Sequence, residues 1–509
     1  MKHNIRIVST YPPRRCGIGT FARDLASALE HFTGEVGTIR VAAIDRERLP
    51  YSIPVDLVID QYDPQSWRYA IDDIIARADE STDKTVVLLQ HEYGLDPDDS
   101  GEDGMGMNFV RMAEAFSAKG MTTFAYLHTI LDEPDAHQKK VLQDLAKYSD
   151  GLIVTTESAI HILESNVYGI DHSKLKHIDH GIRMHHPSQH DRLAIKQRYG
   201  LANRFLAATL GMLSPDKGIQ YSIPAYGRFL HESCTDKQRR NMVYLIAGQC
   251  HPDFVAADGG SEHLAYRAVI ADALCRAEVM WCRTDCLTGV DFDKYDLVFL
   301  DTFLDETTLL EIYAAANAML LPYLNMQQIS SGILADTVGS GRVAVATKSR
   351  YALELMHSNK KCPEGLVVGR HARGMLVDPG EPSVDQIAQA LDRLVFNSKK
   401  RLVMERQAHQ RGYQMRWQNT AWALIQHIDF VTEGKGITSG RGPKFTREKT
   451  SILQKAKKPP VRPRCSTEAV ADDANRRAHK PVCRQQKEIS VHTYPASEGL
   501  VERQIRKSS

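Results

Sequence analysis

The stretch Asn325-Met-Gln-Gln-Ile-Ser-Ser-Gly-Ile-Leu-Ala-Asp336 runs into Thr337-Val-Gly-Ser-Gly341 and then into the apolar Val343-Ala-Val-Ala346. A short apolar run at 318–323 precedes it. The pattern predicts a strand, a polar loop, a helix opening at Ser330, Ser331 and Gly332, and a second buried strand. A helix that opens in a Ser- and Gly-rich loop presents unpaired backbone N–H groups and the positive end of its dipole. It is therefore a ready site for a phosphate.

Outward from this unit the same alternation recurs along the chain. Strands are expected at 5–10, 39–44, 57–59, 86–90, 122–128 and 152–156, and a second set at 205–210, 242–247, 297–300, 318–321, 343–346 and 375–377. Between the first two strands, Phe21, Leu25, Leu29 and Phe32 share one face of a helix over 20–32, with Thr20 as its cap. Strands alternating with helices imply an α/β fold with parallel, doubly wound sheets. The polar break at 185–190 divides the chain into two Rossmann-like domains, 1–185 and 186–403. Residues 404–435 read as a terminal helix carrying Trp417 and Trp422, packed back on the body. Ligands of such sheets bind at the carboxyl ends of the strands, so facing domains leave a cleft there.

A chain of 509 residues exceeds what one core supports. Its 42% hydrophobic and 25% charged residues are those of an ordinary globular protein. The net charge of +1 hides an asymmetry: residues 436–509 hold 17 Lys and Arg against 7 acids, leaving the first 435 at −9. The body thus lacks a nucleic-acid-binding charge, while the tail reads as disordered and basic, with an anionic membrane or nucleic acid as its candidate partner. Nine scattered cysteines fit a reducing compartment, and Cys282 with Cys286 lacks the second pair that a zinc site needs. The first residues lead into a strand rather than an apolar leader, and no stretch is apolar enough to span a bilayer. The expected location is cytoplasmic.

Several landmarks occur in order: Ser9-Thr-Tyr-Pro-Pro-Arg-Arg-Cys-Gly-Ile-Gly-Thr20, Gln90-His-Glu-Tyr-Gly94, Leu127-His-Thr-Ile-Leu-Asp-Glu-Pro134, His180-Gly181 and Gly211-Met-Leu-Ser-Pro-Asp-Lys-Gly218, then the 325–341 stretch. With them the chain resembles the retaining, nucleotide-sugar-dependent glycosyltransferases of family 4, whose GT-B fold sets two Rossmann-like domains face to face. The resemblance covers residues 3–430. It implies an acceptor-side first domain, a nucleotide-sugar-binding second domain, a nucleoside-diphosphate-sugar donor, a hydroxyl acceptor, and neither metal nor cofactor.

It also assigns roles. Gly17, Ile18 and Gly19 are expected at the donor's diphosphate, where glycine permits close backbone approach. His128 is expected beside the reacting sugar as a hydrogen-bonding and charge-stabilising group. Lys217 is expected at the diphosphate, although the arginine that relatives carry upstream of it is here Met212. Relatives hold the donor sugar and the nucleotide ribose with a pair of glutamates, and Gln328 and Asp336 stand at those positions. Ser330, Ser331 and Gly332 would offer hydroxyl and N–H donors to the phosphates. His91 and Glu92 read either as acceptor-side groups or as packing, and Asp132, Glu133 and Asp135 as a solvated loop. Rival readings are a GT-B phosphorylase or epimerase, and a catalytically weak sugar-nucleotide-binding scaffold.

Overall fold

The computed structural model describes residues 2–81, 83–97, 105–183, 189–357 and 362–433. The basic tail lies outside the described residues, as do most of those in the polar break at 185–190. The first sheet contains β1 (His3–Ser9), β2 (Val36–Asp45), β3 (Val55–Asp60), β4 (Lys84–His91), β5 (Thr122–Leu127), β6 (Gly151–Val154) and β7 (Leu175–His177). Their order is β3-β2-β1-β4-β5-β6-β7, parallel throughout. The second sheet contains β8 (Phe205–Leu210), β9 (Met242–Ala247), β10 (Trp281–Thr284), β11 (Leu297–Leu300), β12 (Ala318–Leu321), β13 (Val343–Thr347), β14 (Val367–Val368) and β15 (Gly374–Val377). Its order is β10-β11-β9-β8-β12-β13-β15-β14, with only β14 antiparallel. The architecture is the expected pair of doubly wound α/β domains. Three strands, β7, β10 and β14, join those foreseen.

The central strands are apolar on both faces because helices cover both, as parallel sheets require. Every residue of β9 and β12 is buried, as are Val86–Leu89 of β4. Strand order reverses between β1 and β4 in the first sheet and between β8 and β12 in the second. Chain crossovers leave in opposite directions at such points, opening a crevice at the strand ends.

Five helices position the site: α1 (Gly17–Leu29), α2 (Glu157–Glu164), α3 (Gly332–Gly339), α4 (Ser398–Gln414) and α5 (Trp417–Glu433). Helix α1 starts earlier than its apolar periodicity suggests. Cys16 stands at its N-cap, while Thr20 is inside it, its hydroxyl donating to Cys16 O at 3.2 Å. Helix α3 opens at the expected place, with the Ser331 hydroxyl accepting from Leu334 N. It closes with Gly341 at φ +63, Gly341 N on Val338 O and Arg342 N on Thr337 O, a Schellman stop that releases the chain into β13.

The terminal helix is broken at 415–416. There Ile182 N donates to Met415 O and Trp417 N to Ile182 O, so the two chain crossings between domains lie side by side. Helix α5 then packs on the first sheet: Ala421, Leu424, Ile425 and Ile428 share a core with Ile5, Ile7, Leu25 and Leu29.

The domains also meet through polar contacts near the crevice. Thr155 Oγ1 donates to Ile329 O at 2.9 Å. Glu354, from the second domain, accepts from Glu157 N (2.6 Å), Ser158 N (3.1 Å) and Ser158 Oγ (2.9 Å). It thereby caps α2, whose own N-cap Thr156 makes no side-chain cap bond. Arg350 pairs with Asp132, while Asp135 caps the helix that follows, so these loop acids are engaged rather than merely solvated. A helix cap is worth about 0.5–2 kcal/mol, so Glu354→Ala should loosen domain docking by that amount. The expected result is a larger radius of gyration by small-angle scattering, and an unchanged radius would show that the cap does not hold the domains together.

Candidate active site

A cavity of about 410 Å³ opens between the ends of the two sheets. Its walls come from the loops after β1, β4 and β5 and from the loop between β12 and α3, the crevice that the strand order predicts. Two helix N-termini reach it from different domains: Gly17 and Ile18 of α1, and Gly332 of α3 with Ser330 before it. Cys16 makes no side-chain cap bond at the start of α1, leaving those first N–H groups to the cavity. A Cβ on Gly17 would meet nothing within 4 Å, whereas one on Gly19 would lie 3.2 Å from Tyr11 N. Gly19 thus lets the helix start press against the end of β1, while Gly17 keeps the helix mouth open.

Phe21, on the buried face of α1, organises the imidazoles. Its ring sits edge-on to His128, His180, Tyr126 and Trp417 at centroid separations of 4.9–5.1 Å. His128 Nε2 lies 2.7 Å from Gln90 Oε1, and His180 Nδ1 lies 2.6 Å from Gly181 O. A neutral ring that donates through these nitrogens keeps the opposite one as an acceptor. Burial holds both rings neutral: it pulls His128 down to about 3, helped by His180 and His91, and His180 down to about 4. The far nitrogen of His180 points toward the start of α3, 3.9 Å from where a Cβ on Gly332 would stand.

Across the cavity, Gln328 and Ser330 line the second-domain wall. The Gln328 side-chain oxygen is buried and has no hydrogen-bond partner among the described residues. On the first-domain wall, Glu92 Oε1 accepts from Tyr93 N at 3.0 Å and Oε2 from Thr129 Oγ1 at 2.6 Å. Burial pushes its carboxyl above the ordinary range.

No protein-family model matches the chain, and no curated protein sequence does. Solved structures do. HepE of Anabaena, in complex with UDP, superposes with a TM-score of 0.59 at 15% identity, covering 84% of this chain and 100% of that one. A glycosyltransferase of Rickettsia africae superposes at 0.59 with 10% identity, over 85% and 100% of the two chains. A UDP-forming α,α-trehalose-phosphate synthase of Burkholderia xenovorans, in complex with glucose 6-phosphate, does so at 0.58 with 12% identity, over 84% and 100%. The fold is GT-B.

Within this GT-B frame, Gly17, Ile18, His128, Gln328, Ser330 and Gly332 share the cavity wall. Gly19 and Ser331 sit just behind it as packing and capping residues. Lys217 and Asp336 are not among the lining residues. The Lys217 ammonium lies 4.3 Å from the centroid of the Tyr323 ring, at the end of β12. The turn beneath it is fixed by Gly218 at φ +65, where a Cβ would fall 1.8 Å from Pro322 O. Asp336 faces Arg183, whose N–H lies 3.4 Å from Oδ1, and burial raises it to about 7 against the pull of that arginine.

His91 is fully buried between Tyr93 and Phe109, so it packs rather than lines the site. His180, Glu92 and Thr129 are among the wall residues to which the sequence assigned no settled role. The His180-Gly181 landmark was the available signal for the first. Among the described residues, no group of three or more His, Cys, Asp or Glu could hold a metal ion, and no helix is long and apolar enough to cross a membrane.

Proposed function

We propose that the chain is a retaining glycosyltransferase that moves a hexose from a nucleoside-diphosphate-sugar to a hydroxyl acceptor. The observation that carries this reading is the convergence of two helix N-termini, one per domain, on one cavity walled by neutral imidazoles and amides. Oriented N–H groups stabilise a departing diphosphate without reorganising. The N–H groups at Gly17, Ile18 and Gly332 and the Ser330 hydroxyl meet the phosphates, while Gly19 and Ser331 shape the two helix starts from behind the wall. Lys217 adds its charge from beside Tyr323, and Asp336 accepts from the ribose. His128 and Gln328 hold the sugar hydroxyls.

The acceptor oxygen bonds to the anomeric carbon from the face the diphosphate leaves, and the bond to the diphosphate oxygen breaks. The hydroxyl proton passes to that departing oxygen. Positioning and electrostatics supply the catalysis, with no resident metal or cofactor, in a cytoplasmic enzyme. HepE has been crystallised in complex with UDP-glucose, which makes UDP-glucose the first donor to try.

The test is nucleotide release from a panel of UDP- and GDP-hexoses with hydroxyl acceptors present. Release from at least one donor is expected, unchanged by a chelator and reduced about 100-fold in His128→Ala, the typical scale for removing one transition-state hydrogen-bonding group. Intact nucleotide binding with no release from any donor would instead favour the scaffold reading.

A further inference from the structure

The transferase reading leaves the acceptor open, and the charge inventory of the cavity narrows it. Among the described lining residues there is no lysine or arginine, and Glu92 is the one acid. His128 and His180 add no positive charge: His180 is buried and His128 half-buried, both are set edge-on against Phe21, and desolvation depresses each ring. Around the cavity, Arg350 is engaged by Asp132, Arg183 by Asp24 and Glu306, and the Arg15 guanidinium lies over the Phe303 ring. Glu92 is anchored at both oxygens, by Tyr93 N and the Thr129 hydroxyl. A carboxylate offers about four acceptor sites, so lone pairs remain on each oxygen. Ile130 and Leu131 continue the same wall and give an apolar surface for the C–H face of a ring.

We propose that this wall binds an uncharged polyhydroxylated acceptor through Glu92 and rejects phosphorylated acceptors. A neutral sugar hydroxyl donates to the carboxylate at no charge cost. A phosphomonoester would lose hydration beside the Glu92 carboxylate, with no lysine or arginine lining that wall to replace it. The donor's own phosphates differ, since they meet the N–H groups of the two helix starts. The Thr129 hydroxyl, by contrast, is spent on Glu92. The inference rests on the transferase reading for its biological meaning, but its test does not require turnover.

The full chain, saturated with UDP, is titrated calorimetrically with glucose, mannose and galactose and with their 6-phosphates. At least one neutral sugar should bind roughly 30-fold more tightly than its phosphate, about 2 kcal/mol. Glu92→Gln, checked for folding by its melting transition, should weaken that sugar about tenfold and narrow the discrimination to within about threefold. A 6-phosphate that binds as tightly as its parent sugar, or a panel in which no neutral sugar binds, overturns the proposal. So does discrimination that survives in Glu92→Gln. Failure of the transferase reading shows separately, as sugars that bind while no UDP is released from UDP-glucose.

Discussion

Lowering the pH from 6.5 to 4.5 is expected to destabilise the protein by several kcal/mol, beginning in the first domain. Burial depresses four imidazoles there: His91 and His128 to about 3, and His180 and His427 to about 4. In the unfolded chain each takes up a proton near pH 6.5. Below that pH the unfolded state binds more protons, so stability is present above 6.5 and is lost as the pH falls. Two acids work the other way. Asp336, raised to about 7, and Glu92, raised by burial, bind their protons more tightly in the folded than in the unfolded state. Four against two leaves a net uptake on unfolding of about one proton at pH 6.5, where the unfolded imidazoles are half-titrated, rising to about two near pH 5, roughly 1.4 to 2.7 kcal/mol per pH unit. Urea denaturation followed at pH 7, 6 and 5 measures it, and a midpoint that does not move sinks the prediction.

Gly332→Glu should lower the affinity for a nucleoside-diphosphate-sugar by about three orders of magnitude without unfolding the protein. Gly332 is exposed, and the nearest atom to an added Cβ, His180 Nε2, is at an ordinary 3.9 Å. A glutamate therefore fits, and as the first residue of α3 it even suits the helix dipole. Its carboxylate then stands at the cavity wall, near the place proposed for the donor's diphosphate. Coulomb's law at an effective dielectric near 20 gives roughly 4 kcal/mol between one carboxylate and a doubly charged diphosphate about 8 Å away. Nucleotide binding by fluorescence and the melting transition separate the two effects. Donor affinity within tenfold of the parent protein would remove the α3 terminus from the phosphate site.

The fold was legible because its signals are redundant. Each central strand is a short β-rich run between helix-length segments, and the 318–346 unit carries strand, cap, glycine stop and strand in one stretch. What escaped was marginal: Leu175-Lys-His177, Trp281-Cys-Arg-Thr284 and Val367-Val368 lie at or near sheet edges, are partly exposed and alternate too briefly to register. The start of α1 was misplaced because Gly17 and Gly19 read as loop. Low helix propensity is outweighed there by the need for backbone to approach Thr10 and Tyr11.

Residues at strand ends could be placed at the cavity because connectivity fixes where strands end. Side-chain direction could not. Nothing in the spacing of Ser214-Pro-Asp-Lys-Gly218 turns Lys217 onto Tyr323, or Asp336 toward Arg183. The placement of His180 and Glu92 in the cavity wall depends on neighbours, Phe21 and Thr129, that only the folded chain brings to them.

The side-by-side crossings at Ile182 and 415–416 bear on how the molecule is made. Trp417, Ala421 and Leu424 complete the core around Phe21, yet they emerge from the ribosome at least 240 residues after β7. The second domain can close on itself while the first still waits for its last helix. Synthesis order and assembly order are thus reversed, and the imidazole wall of the cavity, which leans on Trp417 through Phe21, is finished last.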